Sequence, residues 1–239
     1  MLDLGSGPGR FLGRIGGRAS RRVALDLSRE MLNLVPEVWR SQGRTGRAPA
    51  RILGDALHPP LAPGRFTGVV ALGNPLGFAG EQADRLLAIT EGLLAPGGLL
   101  TLEIAPSPGE RSAYLARLPP TALVRLLRAP VRAVLNRLDR EGYRPEPARR
   151  ASEGEFRRFS ADELLGRWHR AGWESVETMA VAPALGADPV RTASVRTDEL
   201  AWERLLNLEE EIGRRPDRWA GAAAVLLCAR RPAPDRTIK

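Results

Sequence analysis

Cysteine is almost missing from these 239 residues: Cys228 stands alone, so the chain cannot close an internal disulfide. In the apolar stretch AVLLCAR it reads as a small hydrophobic packing residue. Histidine occurs only twice, and no Cys/His cluster has metal-ligand spacing, so no metal site is expected. No apolar run reaches the ~18 to 20 residues of a membrane span, and no basic head followed by an apolar stretch marks a secretion signal. The expected location is cytoplasmic. Lysine is nearly absent too, occurring only at Lys239, so the positive charge is carried by arginine.

The net charge of +8 is unevenly spread. Residues 111–160 alone carry a net +7, and the flanking regions almost balance. With 43% hydrophobic residues the composition is globular, enough for one substantial core with an insertion.

Residues 1–106 alternate between strand and helix patterns. Strands are expected at Leu2–Leu4, Val23–Leu27, Arg51–Leu53, Val69–Leu72 and Leu99–Ile104, with helices at Phe11–Gly17, Arg29–Arg40 and Glu81–Leu94. Ser28 is the expected N-cap of the second helix, and APGG at 95–98 the stop of the third. This rhythm predicts a doubly wound α/β fold around a mostly parallel sheet. Residues 107–160 break it, with Pro119, Pro120 and Pro130 and an apolar helical face from Leu123 to Leu138. They read as a helical insertion after the fifth strand. Beyond it lie a helix in SADELLGRWHRAGW capped by Ser160 with Glu163 three residues on, a strand around Ser175–Ala182, an acid-rich helix around Asp198–Gly213 and a last strand around Ala222–Ala229.

The stretch LDLGSGPGRF places Gly5, Gly7 and Gly9 at spacing two behind the first strand. The dinucleotide fingerprint fails, because the sixth position from Gly5 is Arg10, and no Gly-Lys-Ser/Thr follows for a phosphate loop. What remains is an acid followed by three alternating glycines. Asp26 ends the second strand, Asp55 follows the third in GDA, and Asn74 follows the fourth in ALGNPLGF. All are strand carboxyl ends, the edge where open parallel sheets bind ligands.

With LDLGSGPG, VALDLSREML, GDA, GNPLGF and GLLAPGGLLTLEI in that order over residues 1–105, the chain resembles the class I S-adenosylmethionine-dependent methyltransferases. The closing AGAAAVLLCARRP is similar to that family's last strand. The resemblance implies a Rossmann-like, seven-stranded sheet and S-adenosyl-L-methionine as cofactor. It puts Gly5, Gly7 and Gly9 under the methionine part, with Asp3 orienting the amino group. Asp26 would hold the ribose, Leu27 and Met31 the adenine face, and Asp55 with the Ala56 backbone the adenine edge. Asn74 would lie near the sulfonium. Leu27 and Met31 also read as ordinary core residues, and Asn74-Pro75 as a plain turn signal. The family's helices before the first strand have no counterpart here, which predicts a sheet with less cover and a gain in stability from any in-frame upstream residues. Thr67 stands where the family usually has aspartate at the fourth strand.

Methyl transfer needs a base only if the accepting atom must lose a proton. Glu103, near the end of the fifth strand, is the candidate; His169, Tyr114 and Tyr143 are weaker, and His58 reads as loop decoration. The expected whole is a single domain over 1–239, with 107–160 as a cap, that methylates a small-molecule acceptor. Two alternatives stay open: an RNA or protein methyltransferase using the basic insertion, with only Tyr114, Tyr143, Phe156 and Phe159 there to stack on bases, and a non-catalytic cofactor-binding protein of the same fold.

Overall fold

A computed structural model gives the fold and describes residues 1–15, 19, 21–106, 110–112, 115, 117–141, 143–145, 158–185, 188–219 and 222–233. Seven strands form one sheet: β1 (Leu2–Leu4), β2 (Val23–Asp26), β3 (Ala50–Leu53), β4 (Phe66–Ala71), β5 (Leu94–Ile104), β8 (Glu174–Val181) and β9 (Ala224–Arg230). Their order is β3-β2-β1-β4-β5-β9-β8, parallel except for β9, which runs antiparallel to both neighbours. The doubly wound expectation holds. β1 is only three residues long, yet Leu2, Asp3 and Leu4 are all buried because β2 and β4 flank it.

Alternation assigns the two faces. Leu2, Leu4, Leu25, Val69, Leu100 and Leu102 join the main core, where Leu86 and Leu87 of α3 (Ala83–Leu93) and Leu164 and Trp168 of α6 (Ala161–Arg170) also lie. The opposite face carries α1 (Arg29–Ser41), whose Leu32 and Val35 pack on Ala24 and Leu12. Ser28 caps α1 by accepting the Met31 N–H at 3.2 Å, and Ser160 caps α6 by accepting that of Glu163 at 3.4 Å, both as expected. The third expected helix, Glu81–Leu94, is α3 with its first residues in a 3₁₀ turn (Gly80–Gln82), and a short unexpected helix, α2 (Pro75–Phe78), precedes it.

Two local expectations fail. Residues 11–14 of the expected helix Phe11–Gly17 form turns, with the Arg14 and Ile15 N–H groups both bonded to the Phe11 carbonyl; Gly16 and Gly17 lie outside the described residues. Repeated glycine weakens helix formation, and the loop is held instead by Gln42, whose Nε2 donates to the Arg10 carbonyl at 2.8 Å. APGG does not separate helix from strand. It lies inside β5 as an irregular loop, since Phe66 pairs with Leu94 and Gly68 already with Leu99.

The insertion holds two helices, α4 (Pro120–Leu127) and α5 (Val131–Glu141), parted at Pro130 as the stripe suggested. Unforeseen was a small ladder, β6 (Glu110–Ser112) against β7 (Tyr143–Pro145), which brackets both helices. A helix the sequence reading missed is α7 (Pro189–Arg196); its signal was Asp188-Pro189, an N-cap with proline in the first turn. With α8 (Glu199–Gly213) it meets the insertion. Leu123, Leu127 and Leu138 share a cluster with Val195, Leu205, Leu208 and Ile212, separate from the main core. Arg128 seals this junction by pairing with Asp198, the N-cap of α8, at 2.6 Å.

Candidate functional site

The glycine loop leaves the buried centre of the sheet. Gly5, Gly7 and Gly9 all take left-handed φ values, +71°, +52° and +81°, which side chains disfavour. At Gly9 a Cβ would also crowd Leu12 and Val35, whereas above Gly7 there is open space within 4 Å. The loop is drawn over β2 by the Gly5 and Ser6 N–H groups, which both donate to the Leu25 carbonyl, at 2.9 and 3.0 Å.

Asp26 pins it further. One carboxylate oxygen accepts the Gly7 N–H at 2.7 Å and the other the Ser28 N–H at 2.9 Å, so a single side chain joins the loop to the start of α1. A carboxylate offers about four acceptor positions, and among the described residues two stay open to hydroxyl donors. Beside it, Leu27 is 73% exposed and Met31 43%. Neither is a core residue, which removes the packing explanation for both.

Asp55 lies past β3, half-exposed, accepting the Leu57 N–H at 2.8 Å and facing His58 Nδ1 at 3.1 Å. The Leu57 N–H, and after it the His58 ring, hold its carboxyl below the usual range. His58 also meets Arg85 of α3 at 2.6 Å, so it bridges its loop to a helix where loop decoration was expected, and Ala56 is half-buried nearby. Asn74 adopts left-handed backbone, φ 59°, and its Oδ1 accepts the Gly77 N–H and the Ala105 N–H, each at 3.2 Å. The side-chain oxygen therefore ties the exit of β4 to that of β5. Asn74-Pro75 is thus a helix start and not a plain turn, Asn74 capping α2 with a tertiary bond added.

Asp3 is the unusual group. It is 1% exposed, and its Oδ2 has no hydrogen-bond partner among the described residues. Burial pushes its carboxyl up to about 7, and the charge of Asp26 adds to the shift. The protonated form is the one the fold favours. An unfolded carboxyl titrates near 3.8, so the contribution of Asp3 to stability is complete below about pH 4 and is lost as pH rises through about 7. Asp3→Asn, which cannot ionise, is therefore expected to raise the melting temperature relative to wild type at pH 8, with the gain shrinking towards pH 5. A difference between the two proteins that does not vary with pH would contradict this.

Glu103, half-buried at the end of β5, accepts the Gly73 N–H at 2.9 Å. It borders a cavity of about 760 Å³ that also touches Arg10, Phe11, Arg14 and Arg44. Among the other candidate bases, His169 sits exposed in the last turn of α6, and Tyr114 and the side chain of Tyr143 lie outside the described residues. Phe156 does as well, and Phe159 is 5% exposed in the main core, so it presents no ring for stacking. Another cavity, about 460 Å³, lies at the opposite edge among Arg21, Arg22, Trp39 and Arg47 and shares no residue with the site. Among the described residues no cluster of His, Cys, Asp or Glu is placed to hold a metal ion, and no helix is long and apolar enough to cross a membrane.

The site residues thus share the carboxyl edge of β1 to β5, around a loop shaped to receive a ligand. The open space above Gly7, the unpartnered oxygen of Asp3 and the exposed Leu27 and Met31 fit an adenosyl group carrying an ammonium. Residues 1–98 match the family model described as a methyltransferase domain. No curated protein matches the chain significantly at the sequence level. Among solved structures, an S-adenosylmethionine-dependent methyltransferase from Mesorhizobium loti superposes with a TM-score of 0.54 at 18% identity, covering 96% of this chain and 89% of that one. The 1,6-didemethyltoxoflavin-N1-methyltransferase of Burkholderia thailandensis, solved with 1,6-didemethyltoxoflavin and S-adenosylhomocysteine, gives 0.51 at 15% identity, covering 97% and 70%. The [4+2]-cyclase SpnF gives 0.50 at 18%, covering 98% and 74%. The part of the chain that carries the glycine loop, Asp26, Asp55 and Asn74 is thus similar to a methyltransferase domain, and the sheet has the fold of S-adenosylmethionine-dependent methyltransferases.

Proposed function

We propose that the protein is a methyltransferase acting on a small-molecule acceptor held at the ends of β4 and β5, in the cavity between Glu103 and residues 10–14. The observation that carries the reading is the cavity of about 760 Å³ bordered by Gly73 and Glu103, a volume suited to a small ligand. Bound by the site residues, the cofactor would supply an activated methyl group, which the acceptor lone pair would take as the sulfonium leaves as a neutral thioether. The protein's part is to position the reactants and exclude water.

In this reading Gly5, Gly7 and Gly9 lie under the methionine part and Asp26 offers its remaining acceptor positions to the ribose. Leu27 and Met31 cover one adenine face, and Asp55 and the Ala56 backbone meet the adenine edge. Asn74 acts as a pin for the β4 loop, since its oxygen is already committed twice. Glu103 takes the acceptor proton where one must leave. The acceptor comes before nucleic acid because Phe159 is buried and Arg128 is already paired with Asp198. A second reading, chemistry other than methyl transfer on the same fold, draws on the likeness to the [4+2]-cyclase.

An ammonium beside Asp3 favours its carboxylate, so cofactor binding near pH 6.5 is expected to release a proton. Calorimetry in two buffers of different ionisation heat measures this directly, and Asp3→Asn should remove the difference. Folded protein that binds no S-adenosylmethionine rejects the reading, and binding of a nicotinamide dinucleotide in its place would point to hydride transfer.

A further inference from the structure

The register of the sheet places Glu103 opposite Leu226 and Leu226 opposite Met179. Directly paired residues point to the same face, so these three side chains form one row across β5, β9 and β8. The row runs close to the carboxyl edge and spans two strand spacings, about 10 Å. At its far end lies a cavity of about 410 Å³ between β8 and α8, whose large apolar lining residues are Met179, Val181, Leu185, Trp202, Leu205 and Leu206.

Three features of that cavity call for an occupant. Its lining is overwhelmingly apolar, yet Leu206 is 50% and Val181 37% exposed at its mouth. Ala182, the residue that turns the chain out of β8 along the cavity wall, has a left-handed φ of 49°, a conformation that L residues other than glycine seldom hold without a reason. The charged groups at the rim are already engaged: Arg214 pairs with Glu210 at 2.9 Å and with Glu177 at 3.5 Å, and Glu209 accepts the Ala184 and Leu185 N–H groups. Such a lining selects by apolar contact and shape.

We infer that the acceptor is amphipathic, its nucleophilic head beside Glu103 and an aryl or alkyl tail lying across Leu226 into the cavity beneath Trp202. The inference rests on the methyl-transfer reading above. The helices 189–213 then act in specificity, and the insertion 120–141 acts through them by holding α8 in place.

The test uses full-length protein and paired acceptors that differ only in the tail: ethylamine against phenylbutylamine, phenol against hexylphenol, acetate against octanoate. Transfer from labelled cofactor is expected to favour the tailed member of the reactive pair by roughly 10- to 200-fold in kcat/KM, the range for filling an apolar pocket. Met179→Trp, which fills the cavity, and Leu206→Glu, at an exposed position where folding is not threatened, should each erase that preference while the cofactor Kd stays unchanged. Fluorescence of the neutral apolar probe N-phenylnaphthylamine, bound to wild type loaded with S-adenosylhomocysteine, should fall in both variants. No preference for tails, a preference that survives both substitutions, or undiminished probe fluorescence in both overturns the inference. Loss of probe binding in the variants alongside a wild type that binds no cofactor would instead strike at the methyl-transfer reading.

Discussion

Asp26→Ala is expected to weaken S-adenosylmethionine binding by about 1.5 to 3 kcal/mol, the range for losing hydrogen bonds to a charged group. That is roughly 10- to 150-fold in Kd. Two losses combine. The ribose hydroxyls lose their acceptor, and the glycine loop loses the bond that holds Gly7 at 2.7 Å from Asp26. The loop then opens from β2, and the Ser28 N–H at the start of α1 is also left without its carboxylate. Asp26→Asn separates the contributions, because one amide oxygen can replace only one of the two acceptors. The expected order of affinity is wild type, Asn, Ala, read by calorimetry with melting temperatures measured on the same samples. A wild-type Kd in Asp26→Ala would remove this residue from the site.

The second large effect concerns the helices outside the sheet. The insertion was expected to cap the acceptor pocket, a reading that deletion of residues 111–150 would test. The structure makes that deletion harsher, because Leu123, Leu127 and Leu138 complete a cluster with Leu205, Leu208 and Ile212 from another part of the chain. Cutting one half exposes the other. A gentler form is Leu208→Ala at a fully buried position, expected to cost about 2 to 5 kcal/mol. Because this cluster is separate from the main core, the loss falls on the helices first. Hydrogen exchange should accelerate in 120–141 and 189–213 with β1 to β5 still protected. Cofactor affinity should hold while transfer to the acceptor collapses. Exchange that accelerates evenly over both regions, with cofactor affinity lost, would mean that the helices belong to the core.

The sheet and its cofactor edge were legible because each depends on short-range rules. Strand and helix alternation gives the parallel core, the failure of two nucleotide fingerprints narrows the glycine loop, and Asp26, Asp55 and Asn74 each follow a strand that is readable by itself. The same local rules overreached in places. The apolar residues of Phe11–Gly17 suggested a helix, but repeated glycine weakens helix formation there, and Gln42 of a distant segment fixes the loop. APGG looked like a terminator and became an irregular loop, because pairing with β4 continues on both sides of it.

Sequence alone determined the parallel core, the glycine loop and the acidic residues along its edge, since each is encoded within a few residues by periodicity, capping and turn chemistry. Only the tertiary structure decided what surrounds them. The burial that lifts Asp3 to about 7 comes from β2 and β4 closing on either side of a three-residue strand. The commitment of the Asn74 oxygen requires Ala105, thirty-one residues away. The union of 120–141 with 189–213 joins apolar stripes whose spacing says that each must be buried, and nothing in a stripe names its partner. The choice is made by which surfaces the sheet brings within reach, a property of the folded chain and of no segment in it.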